Sequence, residues 1–283
     1  MNIAAAGNPF RIASYNVLNL FDNIDDPMKN DEGTPPKSAQ SQAALADVME
    51  DSQADVIALQ EVENIDILTE FRDSNGLKDD YPYLTLVEGN DGRGIDVALM
   101  SKHPIQNVVS HKDETFPVEG QEDRGFLRDL LQADIDIPEY GPVRFFLSHF
   151  ASKRGGERAD SMREAEALKA REIIKRETQA FPSQKYVIMG DFNDTADSPT
   201  AQTFTQTDSD GWGLVDAFRE KPESVSYPTN PKTAKKWGYK RIDHILVSQK
   251  MAADQVDVQV HKHPSAQEAS DHWMVSADFA PAK

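Results

Sequence analysis

The chain has 283 residues, 39% of them hydrophobic, a formal net charge of −18 and no cysteine. The missing cysteine excludes thiol nucleophiles, cysteine-ligated zinc and disulfides. No apolar run approaches the roughly 18 residues that a membrane-spanning helix needs. Such an acidic balance argues against a surface that coats nucleic acid broadly, while leaving room for a local basic patch.

The first nine residues predict a flexible tail and no signal peptide. They contain neither a basic n-region nor a long apolar h-region. A chain whose signal had already been removed would look the same, so the compartment stays open and a secreted or periplasmic location is the expectation. No feature indicates an obligate protein partner.

The first half of the chain is predicted to be rich in β-strands. Ser38 should cap a helix that runs through Gln53, after an acidic loop at residues 20–37, and a second short helix should stop at Gly76. Strands are predicted for the apolar stretches at residues 10–18, 55–59, 83–87, 95–100, 105–110, 126–137 and 143–150.

The second half is predicted to combine one long helix with further strands. The helix should run over residues 159–178 and end at Phe181-Pro182-Ser183. A strand at residues 186–189 is followed by a loop-rich stretch to Tyr239, and the closing strands lie at residues 241–247, 255–261 and 273–279. No repeat or linker divides the chain, so residues 1–283 are expected to form one domain of two packed sheets flanked by helices.

The stretch Gly190-Asp191-Phe192-Asn193-Asp194 is the first indication of a site. It follows the apolar strand at residues 186–189, and Gly190 is predicted to break that strand. Asp191 can accept a proton or orient a water, and the Asn193 amide offers both a donor and an acceptor. Taken alone, the stretch would be an ordinary Asx turn.

Other predicted strands end in the same way, with a polar residue where the apolar run stops. Any one of these residues has a structural explanation; His149, for example, could be a satisfied core histidine. Together they form a carboxylate-rich, cysteine-free set that suits a hard cation such as magnesium better than zinc. The set comprises Asn16, Glu61, Asp96, His149, Asp191, Asn193, Asp243, His244, Asp271 and His272.

Six short motifs built on these residues resemble the endonuclease/exonuclease/phosphatase superfamily, in the same order along the chain. That superfamily includes deoxyribonuclease I, abasic-site endonucleases, neutral sphingomyelinases and inositol polyphosphate 5-phosphatases. The resemblance covers residues 10–279 and implies a four-layer α/β sandwich, with two mainly antiparallel or mixed sheets flanked by helices. The motifs are Ser14-Tyr15-Asn16-Val17, Leu59-Gln60-Glu61-Val62, Ser148-His149-Phe150, Gly190-Asp191-Phe192-Asn193, Arg241-Ile242-Asp243-His244-Ile245-Leu246 and Ser270-Asp271-His272.

The resemblance also implies a metal site and a catalytic set. Glu61 would be the principal ligand of Mg²⁺ or Mn²⁺, with Ca²⁺ as a further candidate, and Asn16 and Asp271 would complete the site. Asp191 would orient or deprotonate the attacking water, and Asn193 would hold water or phosphate. His149 and His272 would face the phosphate, paired with Asp96 and Asp243 respectively.

The branch within the superfamily depends on basic residues beside these motifs. Ser152-Lys153-Arg154-Gly155-Gly156 resembles bacterial nuclease-like members, whereas the inositol phosphatase motif is not present at Asp243. Lysines also gather around Trp237 and Tyr239, where an aromatic ring could stack a base or simply pack. The residues predicted to contact phosphates of a substrate are Arg128, Lys153, Arg154, Lys235 and Lys236, although a solvated charge run would look similar.

These features predict a divalent-metal-dependent phosphodiesterase that cleaves nucleic acid, DNA in the first place and RNA as an alternative, by in-line attack of an activated water. A lipid or small-phosphoester hydrolase similar to sphingomyelinases is the second hypothesis, but we find no exposed apolar loop for membrane contact. A non-catalytic binding module is the third, and it would be expected to lack Glu61, Asp191 or His272, all of which are present.

Overall fold

The computed structural model describes residues 9–180 and 184–280. The predicted tail, apart from Pro9, and the predicted helix end at Phe181-Pro182-Ser183 lie outside these ranges. None of the described helices is both long enough and apolar enough to cross a membrane.

Strands and short helices alternate through the described residues. The strands are β1 (Phe10–Leu20), β2 (Val56–Val62), β3 (Tyr83–Leu86), β4 (Asp96–Ser101), β5 (Ile105–Ser110), β6 (Leu131–Ile137), β7 (Gly141–His149), β8 (Lys185–Asp191), β9 (Val215–Asp216), β10 (Asp243–Val247), β11 (Gln255–His261) and β12 (Met274–Phe279). The helices are α1 (Ala39–Ser52), α2 (Ile65–Ser74), α3 (Glu157–Thr178), α4 (Pro199–Thr205), α5 (Pro231–Trp237), α6 (Gln249–Ala252) and α7 (Ala266–Ala269).

The strands form two mixed six-stranded sheets. The first has the order β11-β12-β1-β2-β4-β3 and the second β5-β6-β7-β8-β10-β9. Each sheet has one parallel pair, β1 with β2 and β7 with β8, and all its other pairs are antiparallel. A parallel pair needs a crossover connection, and α1 and α3 provide these two crossovers. The carboxyl ends of the strands in each parallel pair therefore lie side by side.

Three apolar clusters hold the layers together. The largest lies between the sheets and takes Ile12, Val56 and Leu99 from the first sheet, and Phe145 and Ile245 from the second. A second cluster joins the first sheet to α1, α2 and α7, and a third joins the second sheet to α3 and α4. The order helices, sheet, sheet, helices confirms the predicted four-layer α/β sandwich.

Local sequence signals account for the helix ends. The Ser38 side chain accepts a hydrogen bond from the Ser41 amide, and Gln53 ends α1 in the left-handed region with its amide donating to the Glu50 carbonyl. Inside the stretch predicted to be loop-rich, α4 and α5 each begin with proline after a Ser198 or Asn230 cap. Proline directly after a capping residue is a signal for the start of a helix, and the stretch contains this signal twice.

The strand predicted at residues 126–137 is wrong over its first five residues, because β6 begins at Leu131. The hydrogen bonds of this segment involve side chains instead of the backbone of a neighbouring strand. The Leu127 amide donates to Glu166, and the Asp129 carboxylate accepts from the His111 amide at 2.8 Å. Residues 126–130 therefore form a connection that runs over the end of the sheet and carries Arg128.

Candidate active site

The carboxyl ends of the two parallel strand pairs bring the predicted site residues together across the sandwich. Asn16 is the last residue of β1 that pairs with β2 before the register shifts; it is buried, and its side-chain amide connects the sheets. Its Nδ2 donates to Glu61 Oε1 on β2 at 3.2 Å and to Asp191 Oδ2 on β8 at 3.1 Å. One amide group thus joins the predicted metal ligand to the predicted base.

A β-bulge sets the direction of the Glu61 side chain. The register shifts between Gln60 and Val62, and Glu61 lies in the left-handed region at φ 66°. Bulges re-aim side chains at the ends of strands, and backbone conformations of this kind are held only where surrounding contacts compensate. Here the carboxylate is fixed by Asn16 and by the Asn19 amide, which donates to Oε2 at 3.1 Å.

Gly190 does not break its strand, contrary to the prediction from the sequence. Strand β8 continues to Asp191, and Gly190 pairs with Ser148 of β7. A Cβ at Gly190 would lie 1.8 Å from the Ser148 carbonyl oxygen, and φ is 150°, so only glycine fits. This close approach aligns His149 with Asp191 and leaves His149 Nε2 3.6 Å from Asp191 Oδ2.

Asp191 has the environment of a general base. Its side chain is 2% exposed, and Oδ1 accepts a hydrogen bond from the Asn193 amide at 2.7 Å. Burial and the neighbouring Asp243 carboxylate raise the pKa of Asp191 to about 7, against the opposing influence of His272. A carboxylate with a pKa near neutrality is suited to accept a proton at physiological pH.

His272 is held as a cation by Asp243. Its Nδ1 lies 2.8 Å from Asp243 Oδ2, and its Nε2 faces Asp191 Oδ2 at 3.8 Å. Burial opposes the charge, but the carboxylates, Asp243 first, outweigh it and raise the pKa of His272 to about 10. The His272 amide is in turn fixed by the Ser270 hydroxyl, which donates to the Asn16 carbonyl at 2.7 Å.

His149 has no such partner, and the expected pair with Asp96 does not form. His149 Nδ1 and Asp96 Oδ2 are both buried without a hydrogen-bond partner among the described residues, and Asp96 Oδ1 accepts from the Gly89 amide at 2.6 Å. Burial, Arg128 and His272 lower the pKa of His149 well below its usual value. The two histidines therefore differ in charge at neutral pH: His272 is an imidazolium and His149 is a neutral imidazole.

Arg128 lies beside His149 with unused donors. The side chain is 8% exposed and pairs with Asp91, with 2.9 Å between Nε and Oδ2. The approach is not aligned as a hydrogen bond, and neither Nε nor Nη1 has a hydrogen-bond partner among the described residues. Its positive charge contributes to the lowered pKa of His149. A buried guanidinium with free N–H groups is suited to an anionic group.

Two of the three predicted metal ligands are on the solvent-facing side of this cluster. Glu61 and Asp271 are partly exposed, unlike the buried Asn16. Both carboxylates act on the Lys37 ammonium; burial nevertheless lowers the pKa of Lys37 to about 8. Two carboxylates that influence one cation, in a chain without cysteine, form a donor set that fits a hard divalent cation. The Asn16 amide oxygen already accepts a hydrogen bond from the Leu18 amide at 3.0 Å.

A second group of ligand atoms lies deeper in the site. Asp191, Asp243 and His272 each offer one atom, all within 4.8 Å of one another. Asp243 and His272 already satisfy each other at 2.8 Å, so a cation there would break the strongest contact of the site. The partly exposed carboxylates are therefore the better candidates to hold a metal, with Asp191 at their border.

The predicted phosphate-contacting residues on the loops differ in whether a carboxylate already pairs with them. Lys153 is not free, because its Nζ lies 2.5 Å from Asp194, a carboxylate that also binds the buried Arg163. Arg154 is exposed, and so are Lys235 and Lys236 on α5. Arg154 lies close enough to Tyr227 to influence that hydroxyl, and the Tyr227 ring packs 4.9 Å from His272.

Two residues that position the site carry no sequence signal. Glu166 lies in the highly charged helix α3, yet it is fully buried and accepts from the amides of Leu127 and Ala151 at 3.0 and 2.7 Å. It ties the segment of Arg128 to the segment of His149. Ser226 accepts from the Asp243 amide at 3.2 Å. His244, by contrast, faces away and is satisfied by Arg241 and the Asp194 carbonyl.

The fold is shared with proteins of known structure. An endonuclease/exonuclease/phosphatase from Bacteroides vulgatus has a TM-score of 0.66 at 18% identity, with 97% of this chain and 99% of that one covered. The human Nocturnin catalytic domain has a TM-score of 0.64 at 16% identity, with 96% and 94% covered. Truncated TDP2 of Caenorhabditis elegans has a TM-score of 0.63 at 15% identity, with 98% and 100% covered.

These identities establish a common fold and no more. No curated protein matches the chain in sequence. The Endonuclease/Exonuclease/phosphatase family model, however, matches residues 13–272, a span that runs from the strand carrying Asn16 to the buried imidazolium of His272. The chain therefore belongs to the endonuclease/exonuclease/phosphatase family of phosphoester hydrolases.

Proposed function

We propose that the protein is a divalent-metal-dependent nuclease that hydrolyses phosphodiester bonds of DNA. The proposal rests chiefly on Asp191, a buried carboxylate with a pKa of about 7. It is joined through Asn16 to Glu61 on one side and faces the charged His272 on the other. Such an arrangement combines a base, a cation-binding carboxylate and an imidazolium within one site.

Glu61, Asn16 and Asp271 would hold the divalent cation. When bound, a cation such as Mg²⁺ or Mn²⁺ neutralises charge on the phosphate oxygens and orients the scissile group. The bulge that places Glu61 in the left-handed region keeps its carboxylate directed outward before any substrate arrives. That preorganisation lowers the cost of assembling the site on binding.

The remaining residues supply the proton transfer and the charge stabilisation. Asp191 accepts one proton from the water whose oxygen attacks phosphorus, while the sugar oxygen on the opposite side departs. The Asn193 amide keeps Asp191 oriented through its 2.7 Å bond. The His272 imidazolium donates from Nε2 to the increasingly anionic phosphate, since its Nδ1 is engaged with Asp243.

Arg128 and His149 complete the anion site without adding a competing base. The guanidinium offers two donors that have no hydrogen-bond partner among the described residues. His149 stays neutral beside it, because burial and the nearby cations lower the pKa of His149. A neutral imidazole can donate from one ring nitrogen to the phosphate or to the water.

A polymeric substrate is favoured by the basic residues outside this centre. Arg154, Lys235 and Lys236 are exposed on segments that flank the site, in a chain with net charge −18. A small phosphoester would not need such contacts, whereas a strand of DNA places further phosphates on either side of the cleaved bond. Lys153 belongs to this set with part of its charge neutralised by Asp194.

The experiment that tests the proposal is a substrate and metal panel. The protein is incubated with plasmid, linear DNA, RNA, sphingomyelin and a chromogenic phosphodiester, each with Mg²⁺, Mn²⁺, Ca²⁺ or chelator. We expect chelator-sensitive cleavage of DNA that is lost in Asp191→Asn prepared in parallel. Hydrolysis of sphingomyelin alone would assign the protein to the lipid class, and no chelator-sensitive hydrolysis of any substrate would refute the enzymatic proposal.

A further inference from the structure

Two exposed aromatic residues and one half-buried tryptophan lie on the segments next to His272. Trp237 and Tyr239 are 56% and 49% exposed, far more than most aromatic side chains of the described chain. The Tyr239 ring stacks on Trp273, with 5.9 Å between centroids and 28° between planes. We call Trp237, Tyr239 and Trp273 the aromatic strip.

Lysines surround the strip without acidic partners. Lys236 Nζ lies 4.6 Å from the centroid of the Trp237 ring, and Lys262 Nζ lies 5.3 Å from that of Trp273. Most other lysines and arginines of this acidic protein are ion-paired, for example Lys175 with Asp208. No ion pair with a described carboxylate is formed by Lys232, Lys235, Lys236, Lys240 or Lys262.

The strip is connected directly to the catalytic centre. Trp273 follows His272 in sequence, and its amide donates to the Ser226 carbonyl at 2.7 Å. Tyr227, whose ring packs 4.9 Å from His272, exchanges backbone hydrogen bonds with Lys240 at 2.9 and 2.8 Å. These contacts limit movement of Trp273 and Lys240 relative to His272, and the Tyr239 ring stacks on Trp273. A base stacked at Tyr239 would therefore lie near a phosphate bound at His272.

We propose that the aromatic strip binds unpaired nucleotides of the substrate strand, an inference that rests on the proposed nuclease function. Bases would stack on Trp237 and Tyr239 while neighbouring phosphates contact Lys236 and Lys240. Every base offers a π-face, so stacking of this kind depends little on sequence. In a duplex these faces are covered by neighbouring base pairs, and the strip therefore gives the site a preference for single strands or frayed ends.

The chemistry of the strip favours a nucleic acid over a lipid surface. Tryptophan, tyrosine and lysine also occur at membrane interfaces, where aliphatic side chains usually accompany them. Between Ser224 and Arg241 the only residue among valine, leucine, isoleucine and methionine is Val225, which is not exposed. Little apolar area is therefore available for insertion into a bilayer, whereas the rings and ammonium groups match bases and phosphates.

Binding without cleavage tests the inference. Chelator-treated protein is titrated with oligothymidylate of about 12 nucleotides, with a duplex of the same length and with anionic phospholipid vesicles, and tryptophan fluorescence of the wild type is followed. Because each variant replaces a tryptophan, the affinities of the variants are compared with that of the wild type by the fluorescence anisotropy of a dye-labelled oligothymidylate. We expect quenching by oligothymidylate and a weaker response to the duplex. Trp237→Ala combined with Tyr239→Ala should weaken oligothymidylate binding at least about fivefold, the loss for one stacked base.

Matched variants keep the outcome interpretable. Trp237→Phe with Tyr239→Phe retains both rings and should restore binding. Trp212→Phe alters a tryptophan that packs on Arg171 outside the strip and should bind as the wild type does. Equal oligothymidylate affinity in the alanine double variant, or a response to vesicles alone, would overturn the inference. Failure of DNA cleavage with intact oligothymidylate binding would instead count against the proposed function only.

Discussion

The contact between Asp243 and His272 leads to a quantitative prediction for Asp243→Asn. The His272 pKa is raised to about 10, although burial opposes the charge, because Asp243 and the other carboxylates favour the imidazolium. Removal of an adjacent opposite charge shifts a pKa by about one to three units. At the upper end of that range, only about a tenth of His272 would remain protonated at pH 8, where the wild type is fully charged.

The expected result is a loss of activity that grows with pH. At pH 6 the variant keeps most of its imidazolium and loses activity mainly through poorer orientation of the ring. At pH 8 protonation alone removes about another tenfold. The assay is kcat/KM for a chromogenic phosphodiester at saturating metal between pH 5.5 and 10, where the wild type should show limbs near the pKa values of Asp191 and His272.

The control for this experiment is Asp278→Asn, which removes a buried carboxylate from its pair with Arg11 far from the site. It should lower stability without moving either limb of the pH profile. An alkaline limb at the same pH in Asp243→Asn and wild type would refute the assignment of Asp243. The assignment would also be refuted if the activity losses of Asp243→Ala and His272→Ala multiplied in the double variant, because the effects of groups that act as one unit are non-additive.

Further predictions concern the other parts of the site. Glu61→Gln should abolish metal-dependent activity with little change in fold, and calorimetric metal binding equal to wild type would exclude Glu61 as a ligand. Asp191→Asn should bind metal and DNA normally while kcat falls about 10²–10⁴-fold; a retained kcat would exclude it as the base. Burial raises the pKa of Glu166 to about 7, so its contribution to stability is present below the ordinary value of 4.5 and is lost as pH rises through 7. Between pH 5 and 8.5 the free energy of unfolding of the wild type, measured in urea, should therefore fall by about 2–3 kcal/mol relative to that of Glu166→Gln. Parallel plots of unfolding free energy against pH for the two proteins would contradict this. Glutamine is substituted for all of Lys153, Arg154, Lys235 and Lys236. This variant should cleave DNA with a higher KM and a flatter salt dependence, while its hydrolysis of a small phosphodiester should change little.

The sequence predicted which residues the structure brings together better than it predicted the contacts between them. Polar residues at the ends of apolar runs were enough to select Asn16, Glu61 and Asp191, because strand ends are local features. The sequence did not predict that His149 and Asp96 stay apart, because this depends on the Gly89 amide, which donates to the Asp96 carboxylate. No short-range pattern contains that information.

Backbone geometry and helix packing account for the other differences between the sequence predictions and the structure. Gly190 was interpreted as a strand break, whereas the structure requires glycine because the Ser148 carbonyl occupies the space of a Cβ. Glu166 has charged neighbours in α3, so its burial follows only from the packing of that helix under two loops. Lys153 was identified as a phosphate contact, but its pairing with Asp194 depends on tertiary placement.

The pairing of the first and last strands has a consequence for when the site can exist. Strand β1 pairs with β12, with Phe10 opposite Phe279, and the Ser270 hydroxyl beside His272 holds the carbonyl of Asn16. During synthesis on the ribosome the amino-terminal strand must therefore wait for almost the whole described chain before its partner emerges. Contacts between such distant residues form late. The carboxylates of Asp191 and Glu61 are made long before His272, so a partly synthesised chain lacks the imidazolium that the proposed reaction requires. The proposed nuclease would therefore not cut nucleic acid beside the ribosome that is still making it.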